Sequence, residues 1–309
     1  MSDLVIVFAG SPAAAVPSLQ ALTASRHDVA AVITREDSAQ GRRRELTETP
    51  VARAADELAL PVIKANRLAG FATERVQELQ PDLGVIVAYG GLVREPLLST
   101  PRLGWINLHF SLLPRWRGAA PVQRALIAGD EITGASVFQL VPELDAGEVY
   151  GHLSQTIGDQ ETAGSLLDSL ALSGAELLVR VVDAIADGTA RGEVQSGDVT
   201  LAPKLELEDG HIDWTEHAAS VYNRIRGVTP EPGAFTTVDD TRVKIIEAAI
   251  AKGEARLQPG QLVFGHGRLL VGTGSEPLEL SMVHPAGKKP MKAADWWRGR
   301  PVAASTVAE

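Results

Sequence analysis

The sequence predicts an α/β protein in which a domain with a parallel β-sheet is followed by a smaller all-β domain. In the first half, short apolar runs such as Leu4–Ala9 and Val29–Thr34 alternate with segments long enough to be helices. These runs are apolar at successive positions, which is typical of strands buried on both faces of a parallel sheet. Beyond residue 209 the runs become shorter, and turn dipeptides such as Asp-Asp and His-Gly separate them.

The elements of the first domain follow one another in β-α order. Strands are predicted over Leu4–Ala9, Val29–Thr34, Pro61–Lys64, Leu83–Ala88, Trp105–Phe110, Gly134–Val141 and Val149–Ile157. Helices are predicted over Ala13–Ala24, Val51–Leu60, Phe71–Gln80, Pro121–Ala128 and Thr162–Ala186. This alternation implies a sheet that is covered by helices.

We predict a first domain over residues 1–188, a polar, glycine-containing linker over 189–208 and a second domain over 209–309. Strands of the second domain are predicted over Ala234–Val238, Val243–Ala248, Gln261–Phe264, Arg268–Val271 and Leu278–Val283. One helix is predicted near Thr215–Arg226. The pattern is that of an all-β domain of roughly barrel size.

Composition restricts the chemistry that this chain can carry out. Its 309 residues are 45% hydrophobic and include no cysteine, which excludes disulfides, thiolate nucleophiles and thiolate zinc sites. The seven histidines show neither an HExxH nor an HxH pattern, so we expect no metal. No apolar run approaches the ~18–20 residues of a membrane span, and no basic region opens a signal peptide. We therefore expect a cytoplasmic protein.

Net charge argues against general binding of nucleic acid, but its distribution leaves room for local contacts. The formal net charge is −10, and the acid excess lies before residue 209, with 17 Lys and Arg against 27 Asp and Glu. The remainder holds 12 of each kind. Two basic patches exist, Gly41–Arg44 and the run from Lys288 to Arg300. Either patch could equally be a solvated surface.

The loop after the first strand reads Gly10-Ser11-Pro12 and not GxGxxG, and no acidic residue ends the second strand. Dinucleotide binding is therefore not predicted, although the β-α alternation is Rossmann-like. A ligand should still lie beyond the carboxyl ends of the strands. The segments predicted there are Gly10–Pro12, Tyr89–Gly90, Asn107–His109 and the loop that holds Asp145.

Asn107 and His109 are the strongest candidates for chemistry. Residues two apart on a strand point to the same face, so these side chains project together while Leu108 packs on the opposite side. An amide donor beside an imidazole suits a carbonyl that becomes an oxyanion during acyl transfer. Asp145 is the candidate carboxylate that orients His109, although spacing alone does not show that it reaches the ring.

Other interpretations of these residues stay open. Ser11 or Ser111 could be the nucleophile of a Ser-His-Asp hydrolase, but neither lies in a GxSxG motif. His109 could equally be a hydrogen-bonded histidine of the core. Ser111–Pro114 could present main-chain groups to a flat heterocycle, and Arg115–Gly118 could contact a phosphate or form a surface turn.

Together, these segments resemble the formyltransferases that use 10-formyltetrahydrofolate. The resemblance rests on INLHFSLLPRWRGAAPVQRALIAGD (Ile106–Asp130) and LDAGEV (Leu144–Val149). The segments VFAGSP, VIVAYG, KLELEDGHIDW, RIRGVTPEPGAF and PAGKKPM extend it over nearly the full chain. The Arg-Trp-Arg-Gly-Ala-Ala-Pro continuation and the segments of the second domain resemble the branch of the family whose acceptor is methionyl-tRNA.

The resemblance implies a Rossmann-like formyltransferase domain followed by an OB-like β-barrel that binds tRNA. The family's catalytic residues match Asn107, His109 and Asp145. Its folate-contact segment matches Ser111, Leu112, Leu113 and Pro114. Its tRNA-contacting insertion after the second strand matches the loop that contains Arg42, Arg43 and Arg44.

The implied substrates are 10-formyltetrahydrofolate and initiator methionyl-tRNA, which would be used by a monomeric enzyme of translation initiation without a metal or a membrane. Two positions depart from the family pattern. Phe110 stands where many relatives have glycine or another residue, and we expect altered packing there with activity retained. Arg35–Ser38 lacks the Pro-rich start of the insertion, so the conformation of that loop is not predicted.

The implied mechanism is attack by a neutral α-amino group on the formyl carbon. Asn107 and the imidazolium of His109 would stabilise the oxyanion, and Asp145 would hold His109 charged or correctly oriented. The proton of the amine would reach N10 directly or through a water. The Asn-x-His…Asp set leaves open other acceptors, namely glycinamide ribonucleotide or an amino sugar, and hydrolysis of formyl-folate. A non-catalytic folate- or RNA-binding module is the alternative from another class.

Overall fold

The computed structural model describes residues 3–40, 44–300 and 307–309. The chain divides into two compact units, each of which draws on three segments. The first is Met1–Pro121, Ile132–Thr156 and Leu167–Ala202, and the second is Val122–Glu131, Ile157–Leu166 and Pro203–Glu309. The predicted boundaries at 188 and 208 stay predictions, but residues 189–202 of the predicted linker belong to the first unit.

The elements up to residue 202 follow the predicted order, with two additional short strand pairs. They are β1 (Val5–Gly10), α1 (Val16–Thr23), β2 (Asp28–Thr34), β3 (Ser38–Gln40), β4 (Glu45–Thr47), α2 (Pro50–Glu57), β5 (Val62–Lys64), α3 (Phe71–Leu79), β6 (Leu83–Val87), β7 (Trp105–His109), β8 (Arg117–Gly118), α4 (Pro121–Ala128), β9 (Ile132–Gln139), β10 (Val149–Thr156), α5 (Ala163–Ala186) and β11 (Leu201–Ala202).

A seven-stranded sheet of order β10-β9-β7-β6-β1-β2-β5 forms the centre of the first unit. Strands β1, β2, β5, β6 and β7 are parallel, which confirms the predicted Rossmann-like sheet. At one edge, β9 and β10 are antiparallel strands. The parallel strands end at one edge of the sheet, and β7 carries Asn107 and His109 there.

Burial explains why the central strands are apolar at successive positions. All five residues of β6 are buried, whereas β10 at the sheet edge alternates between exposed and partly buried residues. On one face, Ile63, Val76 and Trp105 belong to a cluster of buried apolar side chains that includes residues of α3. The Trp105 indole N–H donates a 2.9 Å hydrogen bond to the Leu97 carbonyl.

A capping residue and prolines in the first turn mark where α2 and α1 begin. Thr49 caps α2 by accepting a hydrogen bond from the Ala52 N–H at 3.0 Å, and Pro50 follows at the first helical position. The predicted helix Ala13–Ala24 is instead a 3-10 turn, Ala13–Ala15, followed by α1. Pro17 lies in the first turn of α1, where its missing N–H costs no helical hydrogen bond.

The second unit contains a six-stranded antiparallel sheet of order β12-β13-β16-β15-β14, with β17 paired to β16. Beyond residue 202 the helices and strands are α6 (Ala218–Gly227), β12 (Ala234–Val238), β13 (Thr241–Ile250), β14 (Leu262–Gly265), β15 (Arg268–Val271), β16 (Leu278–Pro285), β17 (Met291–Lys292) and α7 (Ala293–Arg298). The five strands and the helix predicted from the sequence are confirmed. Closure of this sheet into an OB-like barrel stays a prediction.

The hairpin turns of the second unit lie at the predicted Asp-Asp and His-Gly positions. Asp239 and Asp240 both have positive φ, at 48° and 55°, as do His266 and Gly267, at 51° and 77°. Two consecutive left-handed residues match the right-handed twist of the flanking strands. Ile245, Leu269, Val283 and their neighbours form the buried core of this unit. No helix in the described ranges is long and apolar enough to cross a membrane.

Candidate active site

Strand β7 brings Asn107 and His109 to the same face of the sheet. In the strand register, Asn107 lies opposite Phe138 of β9 and His109 opposite Ser136. Leu108 and Phe110 point to the other face, where a Cβ built on Gly174 of α5 would lie 3.1 and 3.6 Å from them. The predicted alternation is confirmed, and Phe110 is a packing residue of the opposite face.

The imidazole of His109 is held between two groups in a buried position. The side chain is 6% exposed, and Nε2 lies 2.8 Å from the carbonyl oxygen of Trp116. Because a carbonyl only accepts, we assign the hydrogen of the neutral ring to Nε2. The other nitrogen, Nδ1, lies 3.9 Å from Oδ2 of Asp145. The structure therefore brings together the two residues that spacing alone could not connect.

Burial lowers the pKa of His109 below its ordinary value, against the opposing effects of Asp145 and of the hydrogen bond to Trp116. The expectation was that Asp145 holds the ring charged or correctly oriented, and the lowered pKa favours the second of these roles. The physical reason is that the ring has lost its hydration, while the carboxylate lies beyond hydrogen-bond distance. The pKa direction favours the neutral ring near pH 7, so the site has a proton acceptor at Nδ1 rather than a standing cation.

Asp145 is held by hydrogen bonds to both its side chain and its main chain. Its Oδ2 accepts a 2.8 Å hydrogen bond from the Gly118 N–H, and its carbonyl accepts one of 2.8 Å from Nε2 of Gln195. Its φ of 45° is in the left-handed region, which is uncommon for a residue with a side chain. Gly147 closes the loop, where a Cβ would lie 1.7 Å from the Gln139 carbonyl. The loop therefore places the carboxylate by backbone geometry.

Asn107 offers an unused donor to the site. Its side chain is half-buried, and within the described residues its amide has no hydrogen bond. A half-buried amide whose N–H groups are not consumed by the protein can donate to an oxygen that gains negative charge. Asn107, His109 and Asp145 thus supply a donor, a proton acceptor and a carboxylate at the end of one strand.

The four residues of the predicted folate-contact segment lie in the turn after β7. Ser111 is fully buried, and its hydroxyl donates to the Arg115 carbonyl at 2.6 Å. Pro114 is also buried, whereas Leu112 and Leu113 are partly exposed. Ser111 therefore shapes the turn, and the two leucines are the side chains that a ligand can reach. The assignment of Ser111, Leu112, Leu113 and Pro114 to folate stays a prediction.

The predicted tRNA loop connects the short antiparallel strands β3 and β4, in which Ala39 pairs with Leu46. Arg44 is exposed and has a positive φ of 52°. Arg42 and Arg43 lie outside the described residues. The assignment of the three arginines to tRNA stays a prediction.

A cavity of about 760 Å³ lies in the first unit beside the loop that follows β6. Its walls include Gly90 and Gly91 together with Arg35, Arg67 and Arg94. Arg35 donates to the Tyr89 and Gly90 carbonyls, whereas Arg67 and Arg94 are exposed and have no ion pair with another described residue. Glu74 and Glu95 also line the cavity, so its walls carry three cations and two anions.

Sequence reasoning missed the groups that hold the catalytic candidates in place. These are the Trp116 carbonyl, the Gly118 N–H, the Gln195 side chain and the Ser136 hydroxyl, which donates to the Ser111 carbonyl at 2.7 Å. Main-chain groups carry no sequence signal, and Gln195 lay in the predicted linker. No cluster of three or more His, Asp or Glu suited to a metal occurs in the described part of the chain.

Comparison with protein families adds to this geometry. A family model described as "Formyl transferase" matches residues 3–182, and "Formyl transferase, C-terminal domain" matches residues 204–301. The chain is 63% identical over 294 residues to "Methionyl-tRNA formyltransferase" of Leifsonia xyli subsp. xyli, covering 95% of this chain and 97% of that protein. It is 59% identical to the protein of the same name from Clavibacter sepedonicus, over 95% and 96% of the two chains.

Solved structures share the fold at low sequence identity. An N-formyltransferase from Helicobacter canadensis, in complex with folinic acid and dTDP-3-aminofucose, has a TM-score of 0.69 at 16% identity. The match covers 89% of this chain and 98% of that one. At this identity the likeness concerns the fold alone.

Proposed function

Since the chain belongs to the formyl transferase family, we propose that it transfers the formyl group of 10-formyltetrahydrofolate to the α-amino group of initiator methionyl-tRNA. The observation that carries this proposal is the 63% identity to a methionyl-tRNA formyltransferase over nearly the full length of both chains. The site of Asn107, His109 and Asp145 is complete in this chain and supports formyl transfer as its chemistry.

Asn107 stabilises the developing oxyanion, and His109 transfers the proton. The folate supplies a formyl group bonded to its N10. The Asn107 amide donates to the formyl oxygen as negative charge develops there, when the amine bonds to the formyl carbon. Because the pKa of His109 is lowered by burial, its neutral Nδ1 takes up the proton that the amine loses. Asp145 then stabilises the resulting imidazolium at short range.

The cycle closes when His109 passes that proton to N10 as the bond between N10 and the formyl carbon breaks. Tetrahydrofolate leaves, the formyl group stays on the methionine nitrogen, and His109 is neutral again. In this route the imidazolium forms when His109 takes the proton of the amine, whereas the mechanism implied by the resemblance used an imidazolium to stabilise the oxyanion. It uses the lowered pKa of His109, because a ring that is readily deprotonated releases its proton to the leaving nitrogen.

We assign the tail of the folate to the cavity beside the β6 loop, on the basis of its volume and its exposed arginines. Its volume of about 760 Å³ is within the usual range of small-molecule sites. The tail of a folate carries carboxylates, and the exposed Arg67 and Arg94 make no ion pair with a described residue, although Glu74 and Glu95 also line the cavity. The segment Leu112–Pro114 would then contact the ring end of the folate, next to the reacting atoms.

We expect the double variant Arg67→Ala/Arg94→Ala to raise KM for 10-formyltetrahydrofolate about two- to fivefold per arginine, the size of an exposed ion pair. The measurement is initial rate against folate concentration. Arg180→Ala, an exposed arginine of α5, is the control. The effect should vanish with a folate analogue that lacks the glutamate tail. An unchanged KM, or an equal loss with the analogue, would contradict this placement.

The decisive test of the function is an assay of purified protein with 10-formyltetrahydrofolate and charged initiator tRNA. Formyl-methionyl-tRNA is the expected product, and its formation should depend on both substrates. Glycinamide ribonucleotide and an amino sugar nucleotide serve as competing acceptors. The N-formyltransferase in complex with dTDP-3-aminofucose is 16% identical to this chain, and a glycinamide ribonucleotide transformylase from Symbiobacterium toebii is 19% identical, so these acceptors are not favoured. Formylation of another acceptor in preference to methionyl-tRNA would refute the proposal.

We expect charge reversal at Arg42, Arg43 and Arg44 to raise KM for tRNA at least about tenfold at low salt, because each phosphate contact contributes through counterion release. KM for folate should not change. Arg180→Glu provides a control on the exposed face of α5. The slope of log KM against log salt should also decrease in the triple variant. An equal rise of both KM values would show that the loop supports the fold instead.

The second unit offers further cations for an RNA backbone. Lys288 and Lys289 are exposed in the turn before β17, and Lys292 is exposed in β17 itself. This supports local contact with tRNA by a chain whose net charge is −10. A cytoplasmic enzyme is part of the same proposal, because its acceptor is used in translation initiation. That the enzyme is a monomer stays a prediction.

A further inference from the structure

A segment after α5, residues 193–202, crosses the first unit next to the candidate active site, and we call it the strap. At one end, Glu193 and Val149 exchange backbone hydrogen bonds of 2.8 and 3.0 Å. At the other end, Leu201 and Ala202 pair with Arg117 and Gly118. The strap is therefore tied both to the start of β10 and to the turn that supplies the partners of His109 and Asp145.

Gln195 is the strap residue whose side chain enters this site from the side. Positions 191–194 and 196–199 are exposed, whereas Gln195 is half-buried. Its Nε2 donates to the carbonyls of Asp145 and Gly147, at 2.8 and 2.9 Å. Its Oε1 accepts from Nη2 and Nε of Arg117, at 2.6 and 3.1 Å. One amide thus bonds to both segments that face each other across the Asp145 carboxylate.

These bonds act where the backbone most needs support. Asp145 has a φ of 45°, and a left-handed residue other than glycine persists only when its surroundings hold it. One Nε2 bond falls on the carbonyl of Asp145 itself and the other on the carbonyl of Gly147, so together they hold the backbone on the C-terminal side of Asp145. On the opposite side, Arg117 precedes Gly118, whose N–H donates to Asp145 Oδ2 at 2.8 Å. The amide of Gln195 therefore links Asp145, which accepts the hydrogen bond from Gly118, to Arg117, which precedes Gly118 in the chain.

We propose that Gln195 is a positioning residue for formyl transfer, which holds the Asp145 carboxylate opposite the His109 ring. The Gln195 side chain bonds to two main-chain carbonyls and to Arg117, and it affects the reaction by fixing the position of Asp145. The kinetic test of this proposal rests on the proposed function. The placement of Asp145 opposite His109 can be tested without it.

The test compares Gln195→Met, Gln195→Glu and the neighbouring control Ser196→Ala. Met keeps the approximate volume and removes all four hydrogen bonds, whereas Glu keeps an acceptor for Arg117 and places an oxygen against two carbonyls. A displacement of about 1 Å at a reacting group costs up to about 100-fold in rate, so we expect kcat to fall between about 10- and 100-fold in both Gln195 variants. KM for either substrate should change less than about threefold, and Ser196→Ala should match the wild type.

A second readout is independent of activity. The pKa of the His109 ring is measured by NMR in the substrate-free protein, with the signal assigned through His109→Gln. We expect this pKa to fall in Gln195→Met, because the displaced Asp145 no longer opposes the effect of burial. Thermal unfolding and circular dichroism establish whether each variant is folded. If Gln195→Met does not fold, the titration is carried out on Gln195→Glu.

The outcomes separate the two proposals. A folded Gln195 variant with wild-type kcat and an unchanged His109 pKa, even if its midpoint of unfolding is lower, would overturn the positioning role. If the wild type does not formylate methionyl-tRNA, the proposed function fails, and the NMR titration still decides whether Gln195 places Asp145. A lower His109 pKa together with a lower kcat supports the role.

Discussion

Replacing Asp145 with alanine should reduce kcat by about 10⁴-fold, the scale seen when the orienting carboxylate of a catalytic histidine is removed. Asp145 is the charge that opposes the effect of burial on the pKa of His109. Without it, the proton taken from the amine would leave the imidazolium of His109, a side chain that is 6% exposed, with no counter-charge beside it. The measurement is single-turnover formylation at saturating substrates.

Asp145→Asn separates charge from shape. The amide oxygen can still accept from the Gly118 N–H, so the turn keeps its anchor, but the negative charge is lost. We expect most of the loss to remain in this variant. Glu143→Ala is the matched control, because Glu143 is an exposed acidic residue of the same loop. Wild-type turnover in Asp145→Ala would remove this residue from the mechanism.

Replacing Asn107 with alanine should lower kcat by about 10²- to 10³-fold, equivalent to ~2.7–4 kcal/mol of barrier. The amide of Asn107 has no hydrogen bond within the described residues, so its donor is available to the formyl oxygen. Because this contact strengthens as charge develops, the effect should fall on kcat and not on KM. Steady-state rates at varied folate concentration measure the two constants separately.

Asn107→Asp is the informative companion, because it keeps the size of the side chain and exchanges a donor for a carboxylate. We expect a loss at least as large as in Asn107→Ala, since negative charge would face negative charge. An Asp variant that is more active than the Ala variant would argue against the donor role. In that case the oxyanion would have to be stabilised elsewhere in the site.

Much of the fold could be predicted from the sequence because its signals are local. Successive apolar residues identified β1, β2, β6 and β7, and the turn dipeptides at Asp239-Asp240 and His266-Gly267 placed two hairpins. The short strands β3, β4, β8, β11 and β17 were missed, since two or three residues carry no periodicity. The start of α1 was misplaced because a 3-10 turn and an α-helix share one apolar pattern.

The sequence by itself determined which chemistry is available. The Asn-x-His spacing places two side chains on one face of a strand because the period of a strand is two. The absence of cysteine removed thiolate chemistry, and Asp145 was the one carboxylate that the motif pointed to. These conclusions depend on residue identity and local geometry, which the chain carries in its order.

Tertiary structure determined the protonation and the position of the catalytic candidates. It brought Asp145 to 3.9 Å from His109 and buried the ring, so the pKa of His109 is lowered by burial although a carboxylate lies beside it. It also folded part of the predicted linker back onto the site, where Gln195 bonds to the Asp145 loop. Burial and main-chain hydrogen bonds depend on residues that are far apart in sequence. No local sequence pattern therefore shows their combined effect on the pKa of His109 or on the position of Asp145.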